Sequence, residues 1–202
     1  MKVRTRWISG ITAVASLAVL ALFAVAARAQ SETASFTYIV FPPGAFPPFS
    51  NIARAADGQT IQMAGSGPLS IHPKSVAGGG TFTHKDSAGA VVAKGTWIAV
   101  ELLSFSDYGT AITVFPPNVH GGLAIMRVHL TPTTGGAGVD AVLWIDCAIN
   151  QPGFNAHNCP EFFATPPSDG CVHKNPEGIR LAVDGGPNFN EKVDGVTVFL
   201  AI

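Results

Sequence analysis

From Ser35 to the C-terminal Ile202 the apolar residues recur with a period near two, and Gly, Pro, Asn or Asp breaks the run at short intervals. Successive side chains point to opposite faces of a strand, so this period marks half-buried β-strands. No segment of the same stretch carries the 3.6-residue spacing of an amphipathic helix. "SFTYIVF" (35–41) reads as a first strand and runs into "FPPGAFPPF", which the prolines hold extended. "QTIQMAG" (59–65) and "GPLSIH" (67–72) follow, and the pair Gly65 and Gly67 predicts a bulge or bend between them. In "GGGTFTHKDSAGAVVAKGTWIAVELLSF" (78–105), Asp86, Ser87 and Gly89 are turn formers between two strands of a β-hairpin. Gly95 marks a bulge or a tight contact on the second of these strands.

Further strands are expected at "LAIMRVHL" (123–130), "DAVLWIDCAI" (140–149), "GIRLAV" (178–183) and "GVTVFLAI" (195–202). The fold class is therefore all-β, an antiparallel β-sandwich or small β-barrel of about eight to ten strands. An apolar end such as Val198 to Ile202 would invite aggregation at an exposed sheet edge, so it is expected to pair inside the sheet. "FPP" occurs at 41–43, 46–48 and 115–117 without a fixed period. These are read as rigid crossings with Phe packed inward, against the alternative of a segment that docks in an aromatic groove.

The N-terminus carries its own signal. Lys2, Arg4 and Arg6 precede an uncharged run from Ile8 to Ala27, and Ala27-Arg28-Ala29 supplies a small-x-small cleavage pattern. Residues 1–29 are expected to be a signal peptide cut before Gln30, with a single all-β domain over 30–202. A permanent anchor is the rival, since a run of about twenty residues can just span a bilayer. No cysteine follows the run and no twin arginine precedes it, so lipid attachment and folded-state export are not implied. The expected location is secreted or periplasmic.

Removing Lys2, Arg4, Arg6 and Arg28 from the 12 basic residues leaves 8 against 13 acidic, a net charge of −5. Nucleic-acid binding needs clustered Lys and Arg to displace counterions, and no such cluster exists here. Electrostatic adhesion to anionic lipid is disfavoured for the same reason, so no membrane partner is expected after cleavage.

All three cysteines lie in "CAINQPGFNAHNCPEFFATPPSDGCVH" (147–173). Cys147 falls on an apolar strand, where a buried thiol is a common state. Cys159 and Cys171 fall in a long Pro/Asn/Gly-rich loop, 150–176. In an exported protein a disulfide between them is the expected constraint, closing a loop of about thirteen residues and stabilising by roughly 3 kcal/mol. The competing reading is a metal site from His157, Cys159, Cys171 and His173, although a one-residue gap is shorter than zinc-finger spacing. "DGGPNFNEKVD" (184–194) gathers Asp184, Asn188, Asn190, Glu191 and Asp194, oxygen donors suited to Ca²⁺ and equally ordinary turn residues. Apart from these metal readings no cofactor is expected.

His72, His84 and His120 sit at predicted turns and His129 on a strand, with no close pair to suggest a shared metal. There is no G-x-S-x-G elbow, H-E-x-x-H or P-loop, and no catalytic residue is assigned. A carboxylate pair for glycoside hydrolysis could be drawn from Glu101 and Asp146, both on predicted strands, against the plainer reading of solvated carboxylates.

Residues 57–109, with "DGQTIQMAGSG", "SVAGGGTFTHKDSAGAVVAKGTW" and "SFSDYG", resemble a pattern of small exported microbial proteins of unassigned function. The "G-x-G" and "GGGTF" elements are also similar to dirigent or allene oxide cyclase-like β-barrels. The resemblance implies a β fold and export, and carries no catalytic residue onto this chain. Three functions follow as expectations. The first is a non-enzymatic binding or surface module for an extracellular or periplasmic ligand. The second is a barrel that binds or isomerises a small hydrophobic ligand in a cavity lined by Phe82, Trp97, Phe105 and Trp144. The third is a metal-dependent enzyme built on the histidines and the 147–173 cluster.

Overall fold

The computed structural model describes residues 34–45, 50–110, 115–133, 135–149 and 177–202. All of them belong to one compact unit, Ala34–Ile202. Among them every regular element is a β-strand: β1 (Ser35–Val40), β2 (Ile52–Arg54), β3 (Thr60–Ser70), β4 (Ser75–Val76), β5 (Gly79–Lys85), β6 (Val91–Thr110), β7 (Val119–Pro132), β8 (Val139–Cys147), β9 (Gly178–Val183), β10 (Asn188–Phe189), β11 (Glu191–Asp194) and β12 (Thr197–Ala201). The all-β expectation holds. The count exceeds it because β2, β4, β10 and β11 are only 3, 2, 2 and 4 residues long. Strands that short display no period to read.

All pairings are antiparallel, and they close a ring: β1 with β3, β3 with β5, β5 with β6, β6 with β7, β7 with β12, and β12 with β1. A sandwich leaves free edges between its sheets, whereas a closed ring does not, so the architecture is a barrel. Its wall forks twice. β3 pairs with β2 through Thr60–Gln62 and with β1 through Gly65–Ser70. Likewise β7 pairs with β12 at Val119 and His120, then with β8 from Gly122 to Leu130. β9 and β10 continue the sheet from β8, and β11 pairs with β2. As expected, the C-terminal strand lies inside the sheet, flanked by β1 and β7.

The interior is filled by side chains. Phe36, Tyr38 and Val40 of β1 meet Ile61, Met63 and Leu69 of β3, Trp97 of β6, Met126 and Val128 of β7, Leu143 and Ile145 of β8, and Phe199 of β12. Strict alternation fails on β6, whose inward residues are Trp97, Ala99, Leu102 and Phe105. Register shifts between Ala99 and Glu101 and between Leu102 and Ser104 explain it. Each bulge adds a residue and bends the strand, so Leu102 and Phe105 return to the inside opposite Met126 and Ala124.

Gly65 and Gly67 do not break their strand, contrary to the sequence expectation. β3 runs through both with unbroken register to β1. They provide room: a Cβ at Gly65 would lie 2.7 Å from Trp97 Cζ2 and 2.4 Å from the Gly79 carbonyl oxygen. The indole that fills this space donates from Nε1 to the Ala64 carbonyl at 3.1 Å, so its one polar atom is paired inside the core. The 86–90 turn forms as read, with Asp86 Oδ1 accepting from the Ala88 and Ala90 amides. Gly95 is a tight contact rather than a bulge, since a Cβ there would meet the Thr131 carbonyl at 2.1 Å.

Candidate functional site

The residues singled out in the sequence do not converge on one site. Phe82 and Trp97 are core residues, 5% and 1% exposed. Phe105 packs against the rings of Phe36 and Phe199, at centroid distances of 4.8 and 4.9 Å. Trp144 lies on the opposite face of β8 from Leu143 and Ile145, with the Arg180 guanidinium 5.8 Å from its ring centroid. These four aromatics therefore do not line a common cavity.

Among the calcium candidates, Asp184 lies in the turn after β9, Asn188 on β10 and Asn190 between β10 and β11, while Glu191 pairs with Arg54 at 3.5 Å. No group of three His, Cys, Asp or Glu arranged for a metal occurs among the described residues. Cys159, Cys171, His157 and His173, with the disulfide or metal read into them, lie outside the described residues. His129 and His120 are each paired to one carboxylate, Asp140 at 2.6 Å and Asp107 at 2.9 Å. Glu101 faces solvent beside Arg127, so it does not share a site with the buried Asp146.

What the fold does assemble is a buried polar cluster at the end of β8. Asp146 and Glu177 are each 5% exposed, and Cys147 is a fully buried free thiol. Lys192 reaches across from β11 and donates to Asp146 Oδ2. Thr197 Oγ1 donates to the Asp146 carbonyl at 2.7 Å, fastening the start of β12 to β8. Glu177 stands immediately before β9. Its Oε1 accepts from the Ala148 amide at 3.0 Å and from the Cys147 thiol at 3.6 Å. Its Oε2 is buried without a hydrogen-bond partner.

Burial pushes the Glu177 carboxyl up to about 8, and the charge of Asp146 acts in the same direction. Hydrogen bonds from Cys147 and Ala148, with the Thr197 backbone nearby, act on the carboxyl and do not overcome burial. Among the described residues the nearby cation, Lys192, is engaged by Asp146. Glu177 therefore holds its proton to a higher pH than an ordinary carboxylate does. Burial likewise drives the Cys147 thiol well above its ordinary value, so it is no nucleophile.

Beside this cluster is a half-enclosed apolar pocket of about 230 Å³. Its floor is the outer face of the β1–β12 pair, where Ile39, Val198 and Leu200 point away from the barrel core. Phe41, Phe115, Val119, Ile149 and Val196 form the sides, and Thr197 and Glu177 complete the lining. The chain makes this surface because "VTVFLAI" is apolar at successive positions. Phe199 goes inward, and its two neighbours are then forced outward.

No protein-family profile, curated protein or solved structure matches this chain. The resemblance of residues 57–109 to small exported proteins and to dirigent-like barrels thus rests on glycine-bounded strands alone.

Sequence reading missed Glu177, Asp146 and Lys192 as a group. Asp146 did leave a trace, as a lone charge within "AVLWIDCAI", a run whose apolar residues occupy both faces. Glu177 left none: "PEG" before a strand reads as an exposed turn, and its burial beside Cys147 and Ala148 is a tertiary effect.

Proposed function

We propose that this chain is an exported binding module that takes a small, largely apolar molecule on the outer wall of its barrel. The observation that carries this reading is the pocket over Ile39, Val198 and Leu200, whose lining among the described residues is almost wholly hydrocarbon. Ligand sites are concave, mostly apolar and furnished with few polar groups. An apolar cavity of about 150 Å³ already admits benzene, so 230 Å³ suits a molecule of one or two rings or a short acyl chain. The barrel interior is supported less well, because close-packed side chains fill it. The N-terminal apolar run and its Ala-x-Ala boundary support export.

The test is a fluorescence titration with the neutral probe N-phenyl-1-naphthylamine. Wild type should bind it saturably, and Leu200→Arg or Val198→Asp, both on the outward face, should weaken binding at least tenfold while leaving the circular dichroism spectrum unchanged. Unsaturable binding, or equal binding by folded variants, would overturn the reading.

A further inference from the structure

We propose that Lys192 and Asp146 condense in the folded protein to an amide bond between their side chains, a covalent staple joining β11 to β8. Lys192 Nζ donates directly to Asp146 Oδ2, so the nucleophile and the acyl group are already in contact. Their side chains are only 9% and 7% exposed. Amide formation needs an uncharged amine beside a carboxylic acid, and water opposes it by solvating the charged forms instead. Burial removes that solvation, and the attraction within a buried ion pair recovers little of what desolvation costs. Among the described residues Asp146 Oδ1 has no hydrogen-bond partner, so this carboxylate lacks donors that would stabilise its charge. The neighbouring Glu177, raised to about 8 by burial, reports how strongly this part of the fold disfavours an ionised carboxyl.

The step balances within the pair. A proton passes from the Lys192 ammonium to the Asp146 carboxylate, and the freed Nζ lone pair attacks Cγ to form a C–N bond. One Cγ–O bond then breaks. Its oxygen leaves as water, carrying the transferred proton and a second proton from Nζ. No oxidant or cofactor is consumed. Holding both groups in contact replaces a bimolecular encounter with a unimolecular one, which is where the rate comes from.

The position of the pair gives the bond a use. β11 pairs with β2, and β8 pairs with β7 and β9. Among the described strands no backbone ladder joins β11 to β8. The strand path begins at β10, passes through β9 and β8, and ends at β11, so the amide clamps the two ends of the sheet together. It also closes a loop over residues 146–192. Such a link constrains the unfolded chain as a disulfide does, and unlike a disulfide it survives reduction.

Mass spectrometry of the purified protein under denaturing and reducing conditions is the test. Wild type should be lighter than its sequence requires by one water. Trypsin should fail to cut after Lys192, leaving a branched peptide that links residues 128–174 to residues 181–202. Lys192→Arg, which keeps the charge but forms no such amide, and Asp146→Ala should both show the full mass. Cyclisation at an Asp-Gly pair such as Asp57-Gly58 also expels water, but it leaves every peptide linear. A wild-type protein of full mass, a deficit confined to linear peptides, or the same deficit in Lys192→Arg would overturn the proposal. The wild-type mass decides the matter even where a variant fails to fold, and it is independent of whether the apolar pocket binds a ligand.

Discussion

Glu177 ties the stability of the fold to pH in a direction opposite to that of most carboxylates. In the unfolded chain it ionises near 4.5, and in the folded protein near 8. Between those values the folded state keeps a proton that the unfolded state has lost, so stability falls as pH rises and levels off above about 8. At about 1.4 kcal/mol per pH unit, the loss across this window is of the order of 4 kcal/mol. Urea unfolding from pH 5 to 9 should show the decline in wild type and a much flatter profile in Glu177→Gln. The variant should match wild type near pH 5 and exceed it near pH 9. Matching slopes in the two proteins would mean that Glu177 is charged in the fold.

At the level of the strand, glycine has two unrelated roles that look identical in the sequence. Gly89 closes the β5–β6 turn with φ of +86° and open space around its absent Cβ. Gly80 lies mid-strand, where a Cβ would sit 1.8 Å from the Ala64 carbonyl oxygen and 2.5 Å from Gly65 Cα. Gly89→Ala carries only backbone strain, about 1 kcal/mol. Gly80→Ala must push β3 and β5 apart, at a cost of about 3 kcal/mol or more. Chemical denaturation of the two variants should reproduce that order, and a reversal would refute the close-approach reading of "GGGTF". Strand positions and the 86–90 turn were legible because period two and turn chemistry are local properties. The β6 bulges were not, since an inserted residue shows only against the partner strand, and the unbroken course of β3 depended on Trp97 occupying the space above Gly65.

For the whole molecule, β12 is the closing element: among the described strands it alone joins β1 to β7 across one end of the barrel. Phe199, fully buried and packed on Phe105 at 4.9 Å, anchors it from inside. Phe199→Ala should destabilise by about 3–5 kcal/mol through the cavity it leaves, whereas Ile202→Ala, at a residue 77% exposed, should stay within about 0.5 kcal/mol. Thermal melts followed by near-ultraviolet circular dichroism would compare them. A small effect at Phe199 would show that the barrel closes without it. Joining the first and last strands also makes closure a long-range event, which slows folding relative to hairpin formation.

The sequence by itself determined the all-β class, most strand positions, the hairpin turn and the burial of the C-terminal strand, because each follows from alternation and turn residues along a short stretch of chain. Only the tertiary structure decided barrel over sandwich, since closure is a property of strand partners far apart in sequence. Tertiary structure also made the candidate site. Ile39, Val198 and Glu177 come from the two ends of the described chain and have no common local pattern. Pairing β1 with β12, and packing β12 on β8, places an outward apolar face beside a carboxyl whose pKa burial raises.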